Sequence, residues 1–199
     1  MEARCWSDYL CPWCYVGSTR DPIFERHGID VTHLPFELHP EIPVEGRRIR
    51  PDGRLKSTFD RIEAECSAAG IPFRRPTRMP NTRRVLAAAE WVRTHHPASF
   101  PRVHARLFAA HFANGQAIDD PMVLDGIVGD AGVDPAEVND ALESGAADAL
   151  VTESMRTARD LGISSTPTWV VGELQIPGAL DSETLERWLS RIAARTSDA

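Results

Sequence analysis

The apolar positions of this chain follow one pattern at its two ends and another in the middle. Residues 2–7 read as a short strand with Cys5 and Trp6 as its apolar members, and residues 31–38 read as a second strand. Between them a helical stretch begins at Cys11 and carries Trp13, Tyr15 and Val16. Asp21-Pro22 offers an N-cap and first-turn proline for a restart that ends at Gly28. Residues 40–51, rich in proline, charge and glycine, form a loop that leaves this first lobe. Helical spacing then takes over. Residues 55–69 hold Leu55, Phe59, Ile62 and Cys66 and stop at Gly70. Residues 81–94 hold Val85, Leu86, Ala89 and Val92, with Asn81 placed to cap them. Residues 100–112 carry Val103, Leu107, Ala110 and His111. Asp120-Pro121 and Asp134-Pro135 open two more helices, and residues 146–161 form another that stops at Gly162. The strand pattern returns at residues 168–171, turns at Gly172-Glu173 and pairs back through residues 174–176 as a hairpin. A last helix, residues 182–194, is expected to turn Leu185, Trp188, Leu189 and Ile192 inward.

Composition narrows this frame. The 199 residues are 42% hydrophobic and 26% charged, which suits a soluble domain with a core of its own. A formal charge of -7 gives no overall reason to expect a nucleic-acid partner. The basic clusters at Arg47, Arg48, Arg50 and at Arg74, Arg75, Arg78, Arg83, Arg84 read as solvated surface. The start has an acid where a signal peptide needs basic residues, and no apolar run is long enough to span a bilayer. The expected compartment is therefore the cytoplasm, with no membrane partner, where thiols are kept reduced.

Of four cysteines, Cys11 and Cys14 form a Cys-Pro-Trp-Cys unit at a helix start. The first N–H groups of a helix lack partners and the macrodipole is positive there, so a thiolate at Cys11 is favoured over a thiol. Pro12 fits a position whose N–H has no helical partner. Cys14, one turn further on, points inward as the resolving thiol. Asp8 is the nearby acid: a proton carrier for that thiol, or a plain cap acid. Half of a zinc site is the competing reading. It needs two more ligands, and neither Cys5 with Cys66 nor His95-His96 supplies a second pair, so no metal is expected. Cys5 and Cys66 read as buried and inert. Far along the chain, Thr166-Pro167 precedes a buried strand. A cis bond there would expose the Thr166 backbone beside Cys11, where an extended substrate could pair with it.

These motifs resemble the DsbA-like oxidoreductases, particularly the FrnE-type subgroup. The stretch Trp-Ser-Asp-Tyr-Leu-Cys-Pro-Trp-Cys-Tyr-Val-Gly (Trp6 to Gly17) carries the resemblance most strongly. Pro-Phe-Glu-Leu-His-Pro from Pro35, Asn-Thr-Arg-Arg from Asn81, Ala-His-Phe-Ala-Asn-Gly from Ala110, and Thr166-Pro167 with Pro177-Gly178-Ala179 extend it over almost the whole chain. The resemblance implies an α/β thioredoxin-like fold with a large all-helical insertion. Residues 1–40 plus 162–199 would form the thioredoxin-like domain, and residues 41–161 the inserted helical domain with its connecting helix. It implies thiol–disulfide exchange with Cys11 as nucleophile and Cys14 resolving. Pro12, Trp13, His39, Asn81, Phe112, Thr166 and Pro167 would lie on the substrate side.

Two positions depart from the subgroup: His39 stands where asparagine is common, and Thr166 where valine precedes the proline. His39 either tunes the site or is a surface or capping residue. Glutathione-using chromene-carboxylate isomerases and kappa-type glutathione transferases share the fold, but carry serine where Cys11 stands. The expected substrate is a disulfide- or dithiol-containing protein or small molecule. No cofactor is expected beyond the redox-active cysteine pair, with glutathione as a candidate co-substrate, and the chain would be a monomer or homodimer. Reductase, oxidant and isomerase share these residues and differ in potential, about 30 mV corresponding to ~1.4 kcal/mol. A glutathione-dependent isomerase or transferase, and a non-catalytic peptide-binding chaperone module, are the alternatives.

Overall fold

The computed structural model describes residues 1–197, and side chains through residue 192. Strand β1 (Glu2–Ser7) runs into helix α1 (Pro12–Gly17), a 3-10 turn (Ser18–Arg20), helix α2 (Asp21–Arg26) and strand β2 (Asp30–Pro35). A short ribbon of β3 (Arg47–Arg48) and β4 (Arg78–Met79) brackets helix α3 (Lys56–Ala68). Helices α4 (Arg83–His95), α5 (Phe100–Phe112), α6 (Pro121–Asp130), α7 (Pro135–Glu143) and α8 (Ala146–Asp160) follow in series. The hairpin β5 (Thr168–Val171) and β6 (Leu174–Pro177) and helix α9 (Ser182–Ser197) close the chain. The main sheet has the order β2-β1-β5-β6, with β1 parallel to β2 and antiparallel to β5. Central β1 is thus fixed on one side by the first crossover and on the other by the C-terminal hairpin. That arrangement places the end of β1, and the cysteine pair just beyond it, against the residues before β5.

Among the described residues, three packed clusters form the core. On one sheet face, Cys5, Phe24, Trp169, Ile176, Leu185 and Leu189 pack under α2 and α9. On the other, Trp6, Phe36, Ala158, Ile163 and Val170 pack under α8. The largest cluster joins α1 to the helices: Cys14, Tyr15 and Val16 share it with Phe59, Ile62, Leu86, Leu107, Phe108 and Phe112. The helical segment therefore builds its core directly on the helix that carries Cys14. Ser154 Oγ donates to the Pro35 carbonyl (2.8 Å) inside the protein, tying α8 to the end of β2.

Local chemistry explains most boundaries. Asp120 and Asp134 each accept a first-turn N–H, from Met122 (2.9 Å) and Ala136 (3.0 Å), with proline at the next position. Asp21 does not cap α2 as expected. The chain enters α2 from the 3-10 turn without leaving helical backbone, Arg20 having φ −91 and ψ −14, so there is no extended residue to act as a cap. The Asp21 carboxylate turns instead to His33 Nε2, 2.8 Å away. β2 ends at Pro35, three residues short of the expected strand, and the chain then leaves the sheet.

Three further expectations are corrected. Trp188 is 38% exposed, because the inward stripe of α9 is Leu185, Leu189 and Ile192 and Trp188 falls on its shoulder. Leu55 precedes α3 and is also 38% exposed. Three of the arginines read as solvated are cross-links. Arg78 grips Asp119 with two nitrogens (2.7 Å each), Arg83 ties α4 to Asp148, Thr152 and Glu37, and Arg84 reaches Asn139. Each bridges segments more than thirty residues apart, which the composition of a charge run cannot reveal.

Ile62 is the buried anchor of α3 in the shared cluster. Ile62→Ala should cost about 2–5 kcal/mol. In urea this appears as a lower midpoint with an unchanged slope; a midpoint equal to wild type would remove α3 from the common core.

Candidate functional site

The reactive geometry begins where β1 ends. Cys11 stands at the N-cap of α1 with extended backbone (φ −86, ψ 111), and its N–H bonds back to the Asp8 carbonyl at 3.0 Å. The Cys14 and Tyr15 N–H groups reach the Cys11 carbonyl at 3.0 and 3.3 Å, closing the first turn. Both cysteines are free thiols. The Thr166–Pro167 bond is cis, as the pattern before β5 suggested, and the Thr166 carbonyl lies 3.5 Å from Cys11 Sγ, which donates to it as a thiol. The Thr166 hydroxyl is buried, with no hydrogen-bond partner among the described residues. Gly17 lets this packing close: a Cβ there would lie 3.0 Å from the Trp169 ring and 3.2 Å from Pro167.

The two sulfurs are displaced in opposite directions. Cys11 is held below the ordinary thiol range, first by the Cys14 thiol beside it, then by Thr166 and the Cys14 backbone N–H. Cys14 is pushed well above that range by burial and by its negatively charged neighbour. The helix-start argument is visible in the contribution of the Cys14 N–H; the larger effect, one sulfur stabilising the other, depends on contact rather than on position along the helix.

Asp8 is completely buried behind the pair. Its two oxygens accept N–H groups from Leu10 (3.2 Å) and Leu38 (2.8 Å), a pattern beyond what a helix cap requires. Burial outweighs these bonds and lifts its carboxyl to about 6. Behind it, Tyr9 Oη and His104 Nδ1 are 2.9 Å apart, and burial keeps the His104 ring neutral.

In front of Cys11 lies an open cleft of about 220 Å³. Cys11, Pro12, Trp13, His39 and Phe112 line it together with Leu10, Leu38, Ile49, Leu55, Phe59 and Met79. Its wall is thus built jointly by the cysteine turn, the loop after β2 and the inserted helices. Phe112 is held in place by stacking on Tyr15 (centroids 5.4 Å apart) and Phe73 (6.0 Å). His39 is at the rim, with Nδ1 3.0 Å from Glu41. Asn81 stands apart from the cleft. Its Nδ2 donates to the Ile42 carbonyl (2.7 Å) and its Oδ1 accepts the Arg83 N–H (3.2 Å), so it fastens the loop before α3 to the start of α4.

Cys5 and Cys66 are buried and both thiols are raised, Cys66 to about 11. Among the described residues, no three His, Cys, Asp or Glu groups converge as metal donors, and no helix is long and apolar enough to cross a membrane. One feature is new: Arg61 of α3 lies over the Trp13 ring, 5.4 Å from its centroid, bringing a cation to a dipeptide that has none of its own. Forty-eight positions separate the two, and no local pattern connects them.

A model of the DSBA-like thioredoxin domain matches residues 4–190. The chain belongs to that family. It is similar to the probable DsbA oxidoreductase SCO1869 of Streptomyces coelicolor, with 23% identity and a TM-score of 0.86 over 96% of this chain and 89% of that one. It is also similar to a 2-hydroxychromene-2-carboxylate isomerase (20% identity, TM-score 0.80, 100% and 98% covered). A third similar structure is the cytosolic disulfide reductase DsbM of Pseudomonas aeruginosa with GSH (20%, 0.67, 99% and 100% covered). At these identities the three likenesses speak for the fold.

Asp8 gives a test of the buried charge. Its carboxyl is raised in the folded chain, so the folded state holds a proton that the unfolded chain loses near 3.8. The stability this contributes is present below 3.8 and is lost as pH rises towards about 6. The wild type minus Asp8→Asn stability difference should therefore fall by about 2–3 kcal/mol across that window. Urea titrations at a series of pH values measure it; a flat difference would mean the carboxyl is not held out of water.

Proposed function

We propose that this chain is a dithiol–disulfide oxidoreductase in which Cys11 attacks and Cys14 resolves. The observation that carries the reading is the split between the two sulfurs: Cys11, the stabilised thiolate, lines the open cleft, whereas Cys14 is sealed and held as a thiol. The Cys11 thiolate attacks a substrate disulfide, forming a Cys11–substrate disulfide and releasing one substrate thiolate. Cys14 then loses its proton and displaces the second thiolate, leaving a Cys11–Cys14 disulfide and a substrate reduced by two electrons. Asp8, at about 6, is the buried base suited to take the Cys14 proton. Running the steps backwards oxidises a dithiol. Pro12, Trp13, Phe112 and His39 bound the substrate, and Thr166 and Pro167 close the side opposite the helices.

Turnover as a reductase needs a thiol donor, and glutathione fits this role; DsbM, a cytosolic disulfide reductase of the same fold with GSH, supports both that donor and a cytoplasmic setting. The Trp6 to Gly17 motif supports assignment to the FrnE-type subgroup. The likeness to the chromene-carboxylate isomerase supports a second reading, glutathione-dependent isomerisation, in which Cys14 would be dispensable.

Trapping separates them. Reduced Cys14→Ser mixed with glutathione disulfide should accumulate one glutathione adduct on Cys11 by intact mass, and Cys11→Ser none. Wild type should instead lose two hydrogens as its own disulfide forms. Adducts on Cys14, or disulfide reduction that survives Cys14→Ser, would contradict the assignment. Peptide binding with inert cysteines would point to a chaperone module.

A further inference from the structure

The walls of the cleft say more about what Cys11 meets. Around it the wall is mostly apolar, with Leu10, Leu38, Ile49, Leu55, Phe59 and Met79 set against only a few polar side chains, those of Trp13, His39, Thr58 and His111. An extended polypeptide could pair with the Thr166 backbone beside Cys11 but would find few partners along the rest of this wall, each unpaired amide costing about 1–3 kcal/mol. A compact apolar group loses nothing. Beyond this wall, a second cleft of about 230 Å³ shares Pro76 and His111 with the first, so the two adjoin.

The second cleft is cationic. Arg74, Arg75 and Arg78 line it. Arg75 is neutralised by Asp60 and Glu63, and Arg78 by Asp119. Arg74 has no carboxylate partner among the described residues: its backbone N–H bonds the Phe112 carbonyl, and its side chain lies along Gly115, where a Cβ would come within 3.2 Å of it. Arg61, over the Trp13 ring that lines the first cleft, likewise has no carboxylate partner among the described residues. Two guanidinium groups without counter-ions thus flank an apolar cavity, in a chain whose formal charge is -7. His111, on the shared wall, adds no positive charge near neutrality, because burial lowers it to about 4. Glu41 at the His39 rim is engaged by His39 and Arg47.

We propose that the substrate of Cys11 is a small disulfide with an apolar, ring-sized body and a carboxylate, the body filling the first cleft and the carboxylate reaching Arg74, with Arg61 drawing it in. The proposal rests on the oxidoreductase reading above and specifies its substrate class. An arginine fork matches a carboxylate with two parallel N–H bonds, and a partly desolvated site strengthens them. The chemistry is unchanged: Cys11 sulfur bonds one half of the disulfide, the other half leaves as a thiolate, and Cys14 releases the first half.

The test is the rate at which reduced protein consumes two aromatic disulfides, the dicarboxylated dithiobis(nitrobenzoate) and the uncharged dithiodipyridine. Each rate is divided by that of a small free thiol to remove intrinsic reactivity. Wild type should prefer the carboxylated disulfide, and the preference should weaken as salt is raised. Arg74→Ala should lower it about tenfold, the scale of a charge-assisted hydrogen bond. Arg61→Ala should lower it about threefold, Arg74→Lys should restore part of it, and Arg159→Ala, away from both clefts, should leave it at the wild-type value. An equal preference in wild type, Arg74→Ala and Arg61→Ala overturns the substrate class while leaving the redox reading standing. If Cys11 consumes neither disulfide, both fall.

Discussion

Everything distinctive about this chain follows from holding two sulfurs, three positions apart, in unlike surroundings. Cys11 stands at the end of an extended segment where the first turn of α1 begins, and opens on an apolar cleft. Cys14 lies one turn inward, in the largest buried cluster, with a fully buried carboxylate behind it. Contact between the two sulfurs makes the difference self-reinforcing: the outer thiolate is stabilised by the inner thiol, and its charge makes the inner thiol harder to ionise. A pair arranged in this way leaves one sulfur at a time ready to react.

The sheet and the helices share the work of keeping it so. β1 delivers Asp8 and Cys11, and β5 delivers Thr166 and Pro167 against them through the antiparallel β1–β5 pairing. The helical segment does more than cover the site. Phe59, Ile62, Phe108 and Phe112 complete the core around α1, and the same helices form the far wall of the cleft. The helices therefore serve both the burial of Cys14 and the wall of the cleft in front of Cys11. Neither Arg61 nor Arg74 belongs to the buried cluster that holds Cys14.

The sequence made the elements legible where a local rule governs them. Two Asp-Pro caps, the hairpin before α9, the cysteine turn and the cis proline position could all be read from a few adjacent residues. What escaped depends on distant partners. Asp21 looked like a cap, yet it faces His33 because the preceding turn stays helical. Arg78, Arg83 and Arg84 looked solvated, yet their acceptors lie in other helices and loops. Asn81 belongs to a motif shared with the family resemblance, but its amide secures a loop rather than facing the cleft. Asp8 was visible as a nearby acid, while its complete burial, which raises its carboxyl against the opposing Leu38 N–H from beyond β2, depends on distant packing.

The central claim is that Cys11 and Cys14 form one redox couple. The most direct measurement equilibrates the protein in glutathione buffers of graded potential and counts free thiols by mass, with Cys5 and Cys66 as internal references. The account predicts that the two active thiols disappear together in a single two-electron transition, where about 30 mV spans a tenfold change in the equilibrium constant, and that Cys5 and Cys66 stay reduced throughout. A pair that remains reduced across the whole range, or sulfurs that oxidise independently of each other, would contradict it.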